Sequence, residues 1–161
     1  MVKLNAKTIF QGKDGNRMKE WEMTLGKVIN TISRRSESEE DKYIFVTAKG
    51  MVGCFIGLFV KCKVLSRIRY IKSTKIKTGF GGNAGNKGAV AIRFFVDDTS
   101  MMFVNCHLLS GRRKGLKRVE EMKKILETAF ANETSREMCA EKYDNVFIFG
   151  DLNFRVNLDN D

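Results

Sequence analysis

The sequence predicts an α+β fold, an antiparallel or mixed sheet with helices packed on a face. Three observations predict it. Runs rich in Val, Ile, Phe and Tyr recur along the chain, a four-residue polar turn joins two of them as a hairpin, and two amphipathic stretches repeat at helical spacing. The 161 residues suffice for one domain with one buried core. With 43% apolar and 30% charged residues the composition excludes a disordered chain. No uncharged apolar run reaches the roughly eighteen residues that a transmembrane helix needs. Met1 to Lys7 carries two lysines with no apolar run behind them, which is not a secretory signal, so a cytoplasmic chain is expected.

The elements follow in order. Thr8 to Gln11 is a short apolar-edged stretch, and Gly12 to Asn16 reads as a turn. From Arg17 to about Arg35, Met18, Trp21, Leu25, Val28, Ile29 and Ile32 recur at helical spacing. Ser36 to Asp41 is a polar, acidic loop. Tyr43 to Thr47 and Met51 to Cys62 read as a pair of strands punctuated by Gly50 and Gly53, and Ile68 to Thr78 as a half-exposed strand. A glycine-rich segment, Gly79 to Gly88, leads into a buried strand from Ala89 to Val96. Asp97 to Ser100 is the hairpin turn and Met101 to Cys106 the returning strand. Arg112 to about Ala131 is a helix. Its apolar face is Leu116, Val119, Met122, Ile125, Leu126 and Ala129, and Lys114, Lys117, Arg118, Lys123 and Lys124 dominate the rest. Asn145 to Phe149 is a short buried strand that ends in Gly150-Asp151-Leu152-Asn153.

The net charge of +10 favours anionic partners: polyphosphates, anionic lipid headgroups or nucleic acid. Charge alone does not choose among them, and a solvated lysine-rich surface accounts for it as well. Cys54, Cys62, Cys106 and Cys139 form no C-x-x-C pair and read as structural thiols.

Three polar clusters adjoin apolar strands. The first, Gly81-Gly82-Asn83-Ala84-Gly85-Asn86-Lys87-Gly88, suits close backbone approach to a phosphate plus one point charge. It lacks the Gly-Lys-Ser/Thr of a P-loop, and a strand follows where the dinucleotide fingerprint requires a helix. Standing alone, the segment reads more readily as a flexible hairpin connection. The second is Val104-Asn105-Cys106-His107-Leu108, with the chain's one histidine at a strand end before a basic loop. That histidine reads either as a hydrogen-bonded structural residue or as a catalyst. The third, Phe149 to Arg155, sets Asp151 and Asn153 on one side of an extended segment, where they can orient a water beside a metal ion. Plain turns share that pattern.

Together these motifs resemble one family. Lys77-Thr78-Gly79, Gly85-Asn86-Lys87-Gly88-Ala89-Val90, Val104-Asn105-Cys106-His107-Leu108 and Gly150-Asp151-Leu152-Asn153-Phe154-Arg155 are similar, in order and spacing, to inositol polyphosphate 5-phosphatases. The resemblance runs from about Lys77 to Arg155, with weaker traces at Leu4-Asn5-Ala6 and Trp21. It implies the DNase-I-like fold of the endonuclease–exonuclease–phosphatase superfamily, a two-sheet β-sandwich flanked by helices. It also implies Mg2+-assisted hydrolysis of a 5-phosphate by direct water attack. Asp151 would polarise the water, Asn153 would hold the phosphate in line, and His107 would stabilise charge on its oxygens. Asn86 and Lys87 would contact another phosphate of the ring, with Arg155 beside the substrate. The substrate class would be inositol polyphosphates or phosphoinositides, met in the cytoplasm or peripherally at an anionic membrane.

The resemblance also leaves gaps. The family's magnesium-binding glutamate would precede Met1, and Gln11 does not replace it because Gly12 follows. The family's second histidine and its neighbouring aspartate would lie beyond Asp161. Residues 1–161 are therefore expected to form a partial catalytic domain, marginal in stability and weak as a catalyst. Phe55 to Val60 and Val146 to Phe149 are expected to lie open to solvent. Two alternatives stand beside this reading: a phosphoinositide- or anion-binding remnant without turnover, and a superfamily nuclease sharing Gly-Asp-x-Asn. No nucleic-acid-binding module is recognisable.

Overall fold

The computed structural model describes residues 15–32, 38–79, 82, 84–131 and 143–155. Leu4-Asn5-Ala6, Gln11, Gly81, Asn83 and Cys139, which entered the sequence reading, lie outside them. The elements are α1 (Gly15–Ile32), a 3-10 turn (Glu39–Asp41), β1 (Tyr43–Met51), β2 (Cys54–Lys61), α2 (Cys62–Leu65), β3 (Ile68–Gly79), β4 (Ala84–Val96), β5 (Thr99–His107), α3 (Gly115–Thr128) and β6 (Asn145–Asp151). Gly15 and Asn16, expected in a turn, begin α1.

The strands form two sheets, as the two-layer expectation requires. β1 and β2 are an antiparallel hairpin, and β3-β4-β5-β6 form a four-stranded sheet. Its first three strands are antiparallel, and β6 returns through α3 to lie parallel to β5. Alternation along the central strands sends residues to opposite faces. Val90, Ile92 and Phe94 of β4 meet Met51, Cys54 and Ile56 of the hairpin. On the other face Ala89, Ala91, Met102, Val104 and Cys106 pack with Ile125 and Ala129 around α3. Met102, Leu108 and Ile125 are fully buried, and each contributes about 1.5–3 kcal/mol by leaving water. The Asn105 side chain fixes the hairpin to the sheet, its Nδ2 donating to Phe55 O at 2.8 Å. A second fastening holds the start of β6: Ser100 N and Oγ both donate to Asp144 Oδ2 at 2.7 Å. These bonds hold the Asp144 carboxyl below its ordinary range.

Four expectations are corrected. β4 begins at Ala84 rather than Ala89, because β3 runs on to Gly79 and pairs with the glycine-rich segment. The close approach there needs a glycine: a Cβ on Gly88, at φ +135°, would fall 1.9 Å from Ile76 O. The hairpin turn narrows to Asp97-Asp98, with Asp97 at φ +52°. α3 starts at Gly115 and presents a different face. Arg118, assigned to the solvated side, is 2% exposed, whereas Leu116 and Val119, assigned to the core, are 82% and 55% exposed. Lastly, β6, whose composition reads as a buried strand, is exposed along its whole length, because among the described residues only β5 flanks it. This agrees with the separate expectation, drawn from the family resemblance, of open surface there.

The sequence expectation of open apolar surface holds for Val146 to Phe149, which are each more than a third exposed. It fails in part for Phe55 to Val60, since Ile56 and Val60 are buried. The two outer strands differ in kind. β3 carries Arg69, Lys72 and Lys75 exposed along its length, and β6 between Asn145 and Gly150 has no charge. Trp21 and Ile32 of α1 also remain largely exposed, although Asn30 ties the helix to β1 by exchanging hydrogen bonds with the Tyr43 backbone at 2.8 and 2.9 Å.

Candidate active site

Sheet register brings three of the singled-out residues to one end of the large sheet. Gly88 pairs with His107 across the β4–β5 ladder, and His107 pairs with Asp151 across the β5–β6 ladder. Lys87, His107 and Asp151 therefore converge from three neighbouring strands. Lys87 Nζ lies 2.7 Å from His107 Nε2, and His107 Nε2 lies 3.6 Å from Asp151 Oδ2. The expected meeting of imidazole and carboxylate is thus found. Lys87 lies against the imidazole itself.

An ammonium group has donors only, so Nε2 accepts and the neutral ring carries its proton on Nδ1. Nδ1 is buried without a hydrogen-bond partner among the described residues. It faces the β1–β2 turn, where a Cβ on Gly53 would sit 3.1 Å away. Burial, and after it the Lys87 charge, lowers the His107 pKa; Asp151 and Glu121 act in the opposite sense. Burial also lowers the Lys87 pKa, against the raising influence of Asp151, Glu121 and Cys54. The thiols beneath the site are inert for the same reason: burial pushes Cys54 up to about 11 and Cys106 to about 12. Cys62, expected in a strand, is exposed at the start of α2.

Asn153 does not continue an extended segment beside Asp151. The chain turns at Asn153, with φ +53°, and its N–H donates to Asp151 Oδ1 at 3.2 Å. Its Nδ2 donates to Leu108 O at 2.9 Å, while Leu108 N donates to Asp151 O at 2.9 Å. Asn153 thereby anchors the segment that follows His107. Asn86 Oδ1 is buried with no hydrogen-bond partner among the described residues. Arg155 is exposed and enters none of these contacts.

Beside the cluster lies a cleft of about 260 Å³ lined by Thr78, Gly79, Lys87, Leu109, Lys117, Glu120, Glu121 and Lys124. The sequence reading missed Glu121 and Gly53. Glu121 sits off the apolar stripe of its helix with nothing but its spacing from Arg118 to single it out, and Gly53 read only as punctuation. No three His, Cys, Asp or Glu side chains converge among the described residues, so those residues do not by themselves make a metal cage. No described helix is long and apolar enough to cross a membrane.

The strand ends of a two-sheet arrangement thus gather a lysine, an imidazole and a carboxylate at one place. The chain belongs to the endonuclease/exonuclease/phosphatase family 2, which it matches over residues 1–161. A probable inositol polyphosphate 5-phosphatase of Schizosaccharomyces pombe is 37% identical over 133 residues, covering 74% of this chain and 11% of that protein. The polyphosphatidylinositol phosphatase INP53 of Saccharomyces cerevisiae is 33% identical over 162 residues, 100% of this chain and 14% of its own length. Human synaptojanin-1 is 34% identical, again over 100% of this chain and 10% of its own. The crystal structure of the inositol polyphosphate 5-phosphatase domain of SPsynaptojanin, in complex with inositol (1,4)-bisphosphate and calcium ion, superposes with a TM-score of 0.76 at 29% identity. That match covers 92% of this chain and 41% of the solved one. The chain thus spans less than half of that solved domain and a small part of the full-length relatives.

Proposed function

We propose that these residues form the phosphate-facing part of a domain that hydrolyses the 5-phosphate of inositol polyphosphates or phosphoinositides. The observation that carries the reading is the Lys87–His107–Asp151 cluster, at 2.7 and 3.6 Å. It offers a cation, a proton-exchanging ring and a carboxylate to one phosphate-sized group. The named activities and the bound inositol bisphosphate of the relatives support the substrate class.

In this reading Lys87 turns its ammonium donors from Nε2 to an incoming phosphate oxygen. His107, released and beside a new anion, takes up a proton and donates it as a hydrogen bond to the oxygen where charge builds. Asp151 accepts a hydrogen from water and aims its lone pair at phosphorus. Asn153 holds the Leu108 carbonyl and with it the orientation of His107. Asn86 and Arg155 serve the rest of the substrate. Mg2+ is the cation proposed for the reaction. The site of action is taken to be cytoplasmic, with peripheral contact at anionic membranes. Residues 1–161 are read as part of a single catalytic domain.

The test adds a soluble inositol polyphosphate bearing a 5-phosphate and follows the His107 imidazole by NMR, with phosphate release measured with and without Mg2+. Binding is expected to move the His107 resonances. Any release should need the cation and fall by a factor of about 10² or more in Asp151→Asn. The absence of both binding and release would overturn the proposal. Cleavage of single-stranded DNA in a parallel assay would favour the superfamily nuclease, and binding that persists in chelator without release the anion-binding remnant.

A further inference from the structure

α3 sends one carboxylate into the cleft beside Lys87, and both of its oxygens are engaged. Thr78 Oγ1, near the end of β3, donates to Glu121 Oε1. The backbone N–H of Leu109, two residues beyond His107, donates to Glu121 Oε2 at 2.7 Å. Thr78 adjoins Lys77, which pairs with Gly88 next to Lys87. Glu121 therefore fastens together the two pieces of backbone that carry Lys87 and His107.

Its neighbour one turn earlier completes the hold. Arg118 Nη1 donates to Leu109 O at 3.2 Å and Gly111 O at 2.8 Å. The segment after His107 is thus gripped through Leu109 N by an acid and through Leu109 O by a base. Leu108 is held in turn by Asp151 O and Asn153 Nδ2. Of these groups, only the Glu121 carboxylate also reaches across to β3, and it lines the cleft with Lys87.

We infer that Glu121 is a positioning residue: through Thr78 and Leu109 it sets the spacing between the β3–β4 ladder and the end of β5, and so holds Lys87 against His107. The inference rests on the proposed reaction for its purpose, but its test requires no turnover. His107 is the chain's one histidine, so the imidazole nitrogen resonances report a single ring. The parent chain is expected to show the separated shifts of a neutral ring protonated at Nδ1.

Glu121→Gln can keep both bonds, its carbonyl accepting from Leu109 N and its amide donating to Thr78 Oγ1. It should retain the imidazole signature. Glu121→Ala should let the ring average between tautomers and speed exchange of the Leu109 amide at least tenfold. Thr78→Val, which cuts the β3 side alone and leaves α3 intact, should loosen the signature without exposing Leu109; it serves if the alanine variant fails to fold. A folded Glu121→Ala or Thr78→Val chain with the parent imidazole signature would overturn the inference. So would collapse of the signature in Glu121→Gln. Absence of phosphatase activity would leave these readouts standing and count against the proposed function alone.

Discussion

At Gly53 the backbone has φ +79°, and a side chain would press on Nδ1 of His107 from 3.1 Å. Gly53→Ala should therefore cost about 1–3 kcal/mol in urea unfolding and displace the His107 resonances, whereas a turn glycine away from the ring would give the first effect only. The lowered His107 pKa has its own consequence. The folded ring binds its proton more weakly than the unfolded one, so its contribution is complete above the ordinary value of 6.5 and is lost as pH falls through the folded value. Unfolding midpoints should drop on acidification below about pH 6.5, and His107→Asn should remove that part of the drop. Lys87→Met should raise the titration midpoint of His107, because a neighbouring positive charge is gone. His107 and Asp151 were legible in the sequence because both end apolar strands in recognisable motifs. The Lys87–imidazole contact was not, since it depends on a pairing between β4 and β5 that begins inside a segment resembling a loop.

Among the elements, α3 separates pattern from packing most clearly. Its apolar stripe places Ile125 and Ala129 correctly in the core, yet the first turn departs from it: Leu116 faces solvent, and Arg118 is buried where it bonds two carbonyls and stacks 5.3 Å over the Phe154 ring. Periodicity weighs hydrophobicity alone and cannot see the unmet carbonyls of Leu109 and Gly111 that make a buried guanidinium worthwhile. Leu116→Lys is expected to change stability by no more than about 0.5 kcal/mol. Arg118→Ala should cost about 1–3 kcal/mol by stripping partners from buried groups. Chemical denaturation of the two variants side by side measures the contrast. β4 teaches the same lesson from the other direction. Gly85 to Gly88 carries loop-like composition, but β3 pairs with Ala84 and Gly88 on either side of an irregularity and so draws the segment into a strand. Information held in a distant segment is invisible to a local reading.

For the whole molecule, a sheet with helices on a face was legible from alternating strands and hairpin signals, and the second sheet was implied by the family resemblance of the motifs. The exposure of β6 was expected from the family resemblance and not from its composition: an uncharged apolar run by itself reads as a buried strand, and what lies beside it is decided elsewhere. Phe147 stacks on Phe103 at 4.7 Å and Phe103 on Phe94 at 5.7 Å, so an aromatic ladder runs through the sheet and ends in water. Ile148→Lys is expected to raise the concentration at which the chain stays monodisperse, read by light scattering, with little change in its circular dichroism. The lysines of β3 already do at their own side what that variant would do at the other. Among the described residues the two flanks of the four-stranded sheet are therefore unlike, charged at β3 and uncharged at β6, and charge disfavours strand addition at the first more than at the second. A strand added beside β6 would settle against the same strand that carries Asp151, so whatever covers that flank also borders the site.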